Sequence, residues 1–208
     1  MVDPLKYFDN NIGGAISLLQ VMKEYNVNKI VFSSTAATFG EPESLPISET
    51  NNQSPTNPYG ESKLAIEKVL HWYANAHDLS YKIFRYFNVS GADPLGRAGE
   101  DHRPETHLIP IILEVALGKR DKIMIFGDNY PTADGTCIRD YVHVNDLIQA
   151  HILALEDLRN NGKSDSYNLG NGNGFSVKEV IEVCREVTGK EIPAEVAPAR
   201  LGDPAVLI

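Results

Sequence analysis

Lys29-Ile30-Val31-Phe32-Ser33-Ser34 is an apolar run that turns abruptly polar, with Thr35 at its end, and its reading decides the fold. A short continuous apolar stretch that stops in hydroxyls is expected to be a buried parallel strand leading into a loop. Upstream, Ile12, Ala15, Leu19 and Met22 recur at helical spacing within residues 9–25, and Ile16 and Leu18 widen the stripe. Downstream, residues 40–58 are rich in Pro, Ser, Asn and Glu and are too long and polar for a tight turn, so they read as a loop. A second amphipathic helix is expected over 59–77, with Leu64, Val69, Leu70, Trp72 and Tyr73 as its apolar positions. Tyr81-Lys82-Ile83-Phe84-Arg85-Tyr86-Phe87 then has strand composition. Helix, strand, helix, strand at this spacing is the grammar of a parallel sheet built from βαβ units.

The texture changes after Asn88. Residues 91–107 form a loop rich in Gly, Pro and charge, and 108–117 a short apolar helix ending at Gly118. A strand is expected at 123–126 before Gly127, a helix at 146–158, and a strand at 167–169 before a glycine-rich turn. Ser176-Val177-Lys178-Glu179 is a capping box opening a helix that Gly189 closes. The expected fold class is α/β, with a partial Rossmann-like parallel sheet in residues 1–90 and a smaller α+β region in residues 91–208.

Composition narrows the function classes. The 208 residues carry 19 Lys and Arg against 28 Asp and Glu, a net charge of −9, which argues against a general electrostatic grip on nucleic acid or an anionic membrane. An anionic ligand would need a few arginines concentrated in one place. Cys137 and Cys184 lack a C-x-x-C spacing and are expected to be reduced thiols. The start, Met1-Val2-Asp3-Pro4, has no basic region followed by an apolar stretch, and no window approaches the ~18 apolar residues of a membrane span. A soluble, cytoplasmic protein without a signal peptide is expected.

The informative constellation is Thr35, Tyr59 and Lys63. Tyr59 and Lys63 stand four apart at a helix start and so share one face. A free phenol, with a pKa near 10, is a poor base at neutral pH; a neighbouring ammonium favours the phenolate, and a drop of about three units needs roughly 4 kcal/mol. A hydroxyl at the end of the preceding strand could pass or stabilise the proton. Such a group suits taking a proton from an alcohol whose carbon gives up hydride. Taken alone, Tyr-x-x-x-Lys also occurs by chance as a surface pair supporting a helix. His102 and His107, with Glu100, Asp101 and Glu105, show no H-E-x-x-H or similar spacing; no metal site is expected, and a polar loop over a substrate cleft accounts for the cluster.

Several runs together resemble a known family. Ser33-Ser34-Thr35-Ala36, Pro58-Tyr59-Gly60-Glu61-Ser62-Lys63 and Arg85-Tyr86-Phe87-Asn88 are similar to extended short-chain dehydrogenase/reductases acting on nucleotide sugars. Gly99-Glu100-Asp101, His107-Leu108-Ile109-Pro110, Ile125-Phe126-Gly127, Asp134-Gly135-Thr136, Arg139-Asp140-Tyr141-Val142-His143-Val144 and Tyr167-Asn168-Leu169-Gly170 narrow the resemblance to the UDP-glucose 4-epimerase family. The resemblance covers essentially the whole chain, in order.

It implies an NAD-dependent isomerase of galactose metabolism, interconverting UDP-galactose and UDP-glucose through a 4-keto intermediate, and a homodimer formed through the helices near 9–25 and 59–77. Tyr59 is implied as the acid/base, Lys63 as the group that lowers its pKa and holds the nicotinamide ribose, and Thr35 as the bridge to the sugar 4-hydroxyl. Asn10 and Phe87 match positions that contact NAD. Asn88, His107, Leu108 and Phe126 match the lining of the UDP-sugar site. Arg139, Arg200 and Asp203 match a pair of phosphate-binding arginines and a ribose-binding carboxylate, and guanidinium forks suit diphosphate oxygens in an otherwise acidic protein. On the same resemblance 1–90 is the later part of an NAD-binding domain and 91–208 a UDP-sugar region.

The sequence departs from the family in one large respect. It contains no G-x-x-G-x-x-G run to bind the pyrophosphate of NAD; Gly13-Gly14 and the glycines of 170–174 do not open a first βα unit. The chain is therefore expected to be an internal segment lacking the N-terminal glycine-rich unit and the C-terminal end, and to bind NAD poorly by itself. An inactive remnant, or a module that only binds a UDP-sugar, stays open as the alternative. Nucleotide-sugar 4,6-dehydratases share the Tyr–Lys pair but resemble a Thr-Asp-Glu pattern, whereas Thr35 here is followed by Ala36-Ala37.

Overall fold

The apolar run is strand β1 (Lys29–Thr35), which pairs in parallel with β2 (Ser80–Tyr86), Lys29 opposite Ser80 and Thr35 opposite Tyr86. These strands belong to a computed structural model that describes residues 3–208. The connection between them contains helix α3 (Pro58–Ala76), and β6 (Asp165–Leu169) adds in parallel to the other side of β2. The sheet order β1-β2-β6 is the parallel arrangement expected from the helix–strand alternation. Only Ser34 and Thr35 of β1 are fully buried; the rest is half-buried, since among the described residues the strand has one partner.

Side-chain alternation distributes the strands between two helical layers. Ile83 joins a core made with Leu19, Met22, Ile66, Leu70 and Leu79, against which Ile30 and Phe32 pack. Leu19 and Met22 come from helix α2 (Gly14–Glu24), and Ile66 and Leu70 from α3. The alternate residues meet helix α5 (Val144–Arg159): the Phe84 ring lies 4.9 Å from that of His151, and Lys82 pairs with Asp157 at 2.8 Å. Helix α3 begins where expected because Asn57 accepts a hydrogen bond from the Gly60 N–H at 2.9 Å and Pro58 fits the first turn.

The helix expected at 9–25 is broken into two parts. A short helix, α1 (Pro4–Tyr7), runs through a π-helical stretch, Phe8–Gly13, into α2. A π turn inserts an extra residue and shifts the faces of the helix, and here the Asn11 amide reaches Ser62 Oγ on α3 at 2.9 Å. Ile16, Leu18 and Trp72, expected on the packed stripes, are exposed instead.

The second unit is built on β5 (Ile138–His143). It pairs in parallel with β3 (Asn88–Ser90) and β9 (Val206–Leu207), and antiparallel with β7 (Gly174–Ser176). A separate parallel pair joins β4 (Ile123–Phe126) to β8 (Ala194–Ala197). Helices α4 (Leu108–Ala116) and α6 (Val177–Thr188) enclose a core of Ile112, Val115, Ile123, Ile125, Ile181 and Ile192. The capping box forms as expected, with Ser176 Oγ accepting from the Glu179 N–H at 3.0 Å and Glu179 Oε2 from the Ser176 N–H at 2.7 Å, and Gly189 closes the helix at φ 62°.

The expected division into 1–90 and 91–208 is corrected. The first unit comprises residues up to Phe87 together with Asp146–Gly170, and the second Asn88–Asn145 together with Asn171–Ile208. The chain returns to the first unit because α5 and β6 complete the layers of its sheet.

Candidate active site

Thr35 and Tyr86 face each other at the carboxyl ends of parallel strands, the edge where open α/β sheets bind ligands. Beyond Thr35 the chain turns through a single 3₁₀ turn, Ala36–Thr38, whose first N–H groups need a partner; Thr35 Oγ1 accepts from the Ala37 N–H at 3.2 Å. The first turn of α3 packs directly on this turn, and Gly60 makes the approach feasible. A Cβ at Gly60 would lie 2.5 Å from the Ala37 carbonyl oxygen, so any other residue would push the helix away. This contact brings Tyr59 to Thr35.

Tyr59 is 37% exposed, and a side-chain hydrogen bond joins it to Thr35. Burial lifts its phenol above the ordinary tyrosine range, and the neighbouring Tyr86 adds to the rise; the Thr35 hydrogen bond works against both by favouring the phenolate. Lys63 does not point its ammonium at the phenol oxygen. Its Nζ donates to the Ser33 carbonyl at 3.0 Å and stands 5.1 Å over the Phe32 ring and 5.8 Å from the centre of the Tyr59 ring. In this chain burial and Tyr86 together outweigh the Thr35 contribution at Tyr59, and burial lowers Lys63 itself.

A buried polar network holds this group from behind. Ser34, beside Thr35, donates its hydroxyl to Glu67 Oε1, and Arg85 opposite Ser34 forks onto the same carboxylate, with Nη2 2.7 Å from Oε2. Gln53 Nε2 donates to Glu67 Oε2 at 3.1 Å. Glu67 follows Lys63 by one helical turn, so the ion pair fixes the helix to the ends of both strands. The sequence reading passed over Gly60, Glu67 and Arg85 as functional supports. A carboxylate at 67, three positions from each of Leu64 and Leu70 on the apolar face, was the signal for a buried partner.

Of the other first-unit residues, Asn10 is exposed on the π-helical stretch and Phe87 is half-buried, its N–H directed at the Leu169 carbonyl at 3.4 Å.

Within the second unit, two arginine pairings draw four candidate residues into place. Arg139, on β5, pairs with Asp203 and donates from Nη1 to the Ile138 carbonyl at 2.7 Å. The Arg200 guanidinium stacks on the Phe126 ring, 4.0 Å from its centre. The arginines implied for a diphosphate and the carboxylate implied for a ribose thus partly engage one another and an aromatic face. Asn88 is exposed on β3, opposite Tyr141 in the strand register. His107 caps α4 and is exposed, and Leu108 packs against the second core.

The arrangement can shuttle a proton between a phenol and a hydroxyl at the mouth of a parallel sheet, and can offer guanidinium groups to an anion. The chain resembles known proteins over nearly its whole length. The chain is 64% identical over 205 residues to a UDP-glucose 4-epimerase of Halalkalibacterium halodurans, 99% of this chain and 61% of that protein. Its fold matches a crystal structure of UDP-glucose 4-epimerase from Brucella ovis in complex with NAD, with a TM-score of 0.94 and 47% identity, covering 99% of this chain and 63% of that one. It also matches UDP-glucose 4-epimerase from Bifidobacterium longum in complex with NAD+ and UDP, with a TM-score of 0.92 and 40% identity, covering 98% and 62%. The chain thus spans about three-fifths of the length of these relatives. The model of the NAD dependent epimerase/dehydratase family matches residues 1–170, a span that includes β1, the Thr35–Tyr59 contact and the sheet around it, and the chain belongs to that family.

Proposed function

We propose that the protein carrying this chain is an NAD-dependent UDP-hexose 4-epimerase that interconverts UDP-galactose and UDP-glucose in galactose metabolism. The observation that carries this reading is the close packing of the first turn of α3 on the 36–38 turn, which sets Tyr59 beside Thr35 at the carboxyl edge of the parallel sheet. A 64% identity to a UDP-glucose 4-epimerase supports the choice within the family. So do Ala36 and Ala37, which carry no proton where a dehydratase would need an acid and a base.

The donor set fits the ribose end of NAD. The Lys63 ammonium has three N–H groups, one of them spent on the Ser33 carbonyl, and it lies one helical turn from Tyr59. Asn10 and Phe87 are the other residues assigned to the cofactor. No glycine-rich run in these 208 residues offers a cradle for the pyrophosphate. Bound NAD supplies the hydride acceptor and donor for the sugar carbon.

The chain's own groups do the rest. Tyr59 acts as the phenolate, a form that the cationic nicotinamide of bound NAD+ would favour together with the Lys63 ammonium. Thr35 accepts the proton of the sugar 4-hydroxyl as it passes its own to Tyr59, and the same path returns a proton when the alcohol reforms on the opposite face. Arg139 and Arg200 hold the diphosphate while the 4-keto sugar turns about its linkage, Asp203 takes the ribose, and Asn88, His107, Leu108 and Phe126 line the sugar site. A second copy of the chain is the partner: Ile16, Leu18, Val21 and Tyr25 of α2 and its C-cap, with Trp72 of α3, present exposed apolar side chains on two neighbouring helices.

The test is turnover of UDP-galactose to UDP-glucose with NAD+ by the protein that carries this sequence. Tyr59→Phe should lower kcat by about 10²–10⁴ while leaving binding of UDP intact. Full activity in Tyr59→Phe, or no turnover with Tyr59 present, would overturn the assignment. Sedimentation equilibrium should give a dimer that Leu18→Glu dissociates; a monomer at assay concentration would remove the second copy.

A further inference from the structure

The loop leading into α4 brings together the histidines and carboxylates whose spacing in sequence matches no metal-ligand pattern. His107 Nδ1 lies 3.2 Å from Glu105 Oε1 and also contacts Glu100 Oε1. His102 Nδ1 lies 3.7 Å from the same Glu105 oxygen, and the two imidazole rings are 5.1 Å apart. The ligand atoms of His102, Glu105 and His107 all fall within 4.8 Å of one another, and among the described residues no other group of three or more does so.

These separations have a chemical meaning. Zinc holds nitrogen and oxygen donors at about 2.0–2.2 Å in a tetrahedron, which sets neighbouring donors about 3.3–3.5 Å apart. The observed 3.2 and 3.7 Å bracket that edge. Glu105 is also already oriented: its side chain is 8% exposed, and Oε1 accepts from the backbone N–H groups of Thr106 at 2.7 Å and His107 at 2.8 Å. Backbone donors of this kind fix a metal-ligating carboxylate from outside. The nearby cation is turned elsewhere, since Arg103 forks onto Asp101 at 3.0 and 3.1 Å. Both histidines remain open to solvent, 49% and 58% exposed, so an ion can reach them.

We propose that His102, Glu105 and His107 bind one divalent transition-metal ion of the zinc class. Two imidazoles and a carboxylate give a donor set suited to zinc, cobalt or nickel rather than to magnesium or calcium. The ion would tie the 100–107 loop to the start of α4, where His107 is the cap residue. The site shares His107 with the lining proposed for the sugar but contains none of Thr35, Tyr59 and Lys63, and its test needs no turnover.

The experiment is calorimetric titration of the 208-residue chain with Zn²⁺, with Co²⁺ as the spectroscopic probe. The expected result is one ion per chain and a Co²⁺ visible spectrum free of a thiolate charge-transfer band. His102→Ala and Glu105→Gln should each weaken binding more than about tenfold, whereas His77→Ala, on an exposed residue outside the cluster, should leave it unchanged. Acidification should release the metal because protons compete for the imidazole nitrogens. Circular dichroism checks each variant, and His102→Gln carries the same comparison should His102→Ala lose structure. No Zn²⁺ binding, binding indifferent to residue 102, or a thiolate band placing the ion on Cys137 or Cys184 would overturn the proposal.

Discussion

Tyr59 is expected to titrate in the direction opposite to that suggested by its spacing from Lys63. Four residues of helix bring a phenol and an ammonium to one face, but spacing says nothing about where the ammonium finds its hydrogen bond. In the folded chain it finds the Ser33 carbonyl, and burial then decides the Tyr59 shift. The tyrosine ring carbons of labelled protein, followed by NMR, should show Tyr59 losing its proton above the usual value near 10. Thr35→Ala should push the transition higher still, because the lost hydrogen bond favoured the phenolate; Tyr86→Phe should bring it down by removing a neighbour that raises it. A Tyr59 transition below 10 in this chain, or one that falls in Thr35→Ala, would contradict this account. Thr35, Tyr59 and Lys63 were legible because a local motif carries them, whereas the influence of Tyr86 comes from β-pairing across fifty residues and leaves no local trace.

At the level of elements, the strands and helices of the first sheet could be read because each shows one clean period: a continuous apolar run for β1, and a 3.6-residue stripe for α3. The short strands β3, β7, β8 and β9 could not, since two to four residues carry no period, and the π-helical stretch mimics an ordinary helix in composition. The Glu67–Arg85 pair is what joins the readable pieces. Both side chains are nearly buried, 5% and 8% exposed, and they tie α3 to β1 through Ser34 and to β2 directly. Removing one partner leaves a charge in the interior, which typically costs about 3–5 kcal/mol. Glu67→Gln should therefore lower the urea midpoint sharply and loosen the Tyr59–Thr35 contact. The double variant Glu67→Gln/Arg85→Met should recover part of the loss, since an apolar replacement of the pair strands no charge. A double variant no more stable than the single would mean that the guanidinium is not the source of the cost.

For the whole molecule, the change of texture near Asn88 marks the first crossing between units, but the return at Asp146 falls inside a helical pattern, and the glycine-rich stretch at the second crossing, Asn171, reads as a turn rather than a boundary. The placement of α5 rests on long-range contacts, Phe84 with His151 and Lys82 with Asp157, that no local pattern encodes. Both units nonetheless share one electrostatic feature that should govern stability in alkali. Burial raises Tyr59 and Tyr81 in the first unit, and pushes Tyr130 and Tyr141 in the second up to about 12. An unfolded phenol ionises near 10. Above that pH the unfolded chain releases protons that the folded chain retains, so the contribution of these groups is complete below about pH 10 and is lost as pH rises toward 12. Lys63 acts in the opposite sense, because its lowered value makes the folded chain give up a proton earlier, but it stands against four phenols. Urea midpoints should hold steady from neutral pH to about 9 and then fall steeply. Tyr141→Phe should flatten that fall, since Tyr141 alone accounts for up to about 3 kcal/mol of it. Midpoints unchanged above pH 10, or a Tyr141→Phe variant with the same slope as the parent, would show that the phenols are solvated in the folded chain.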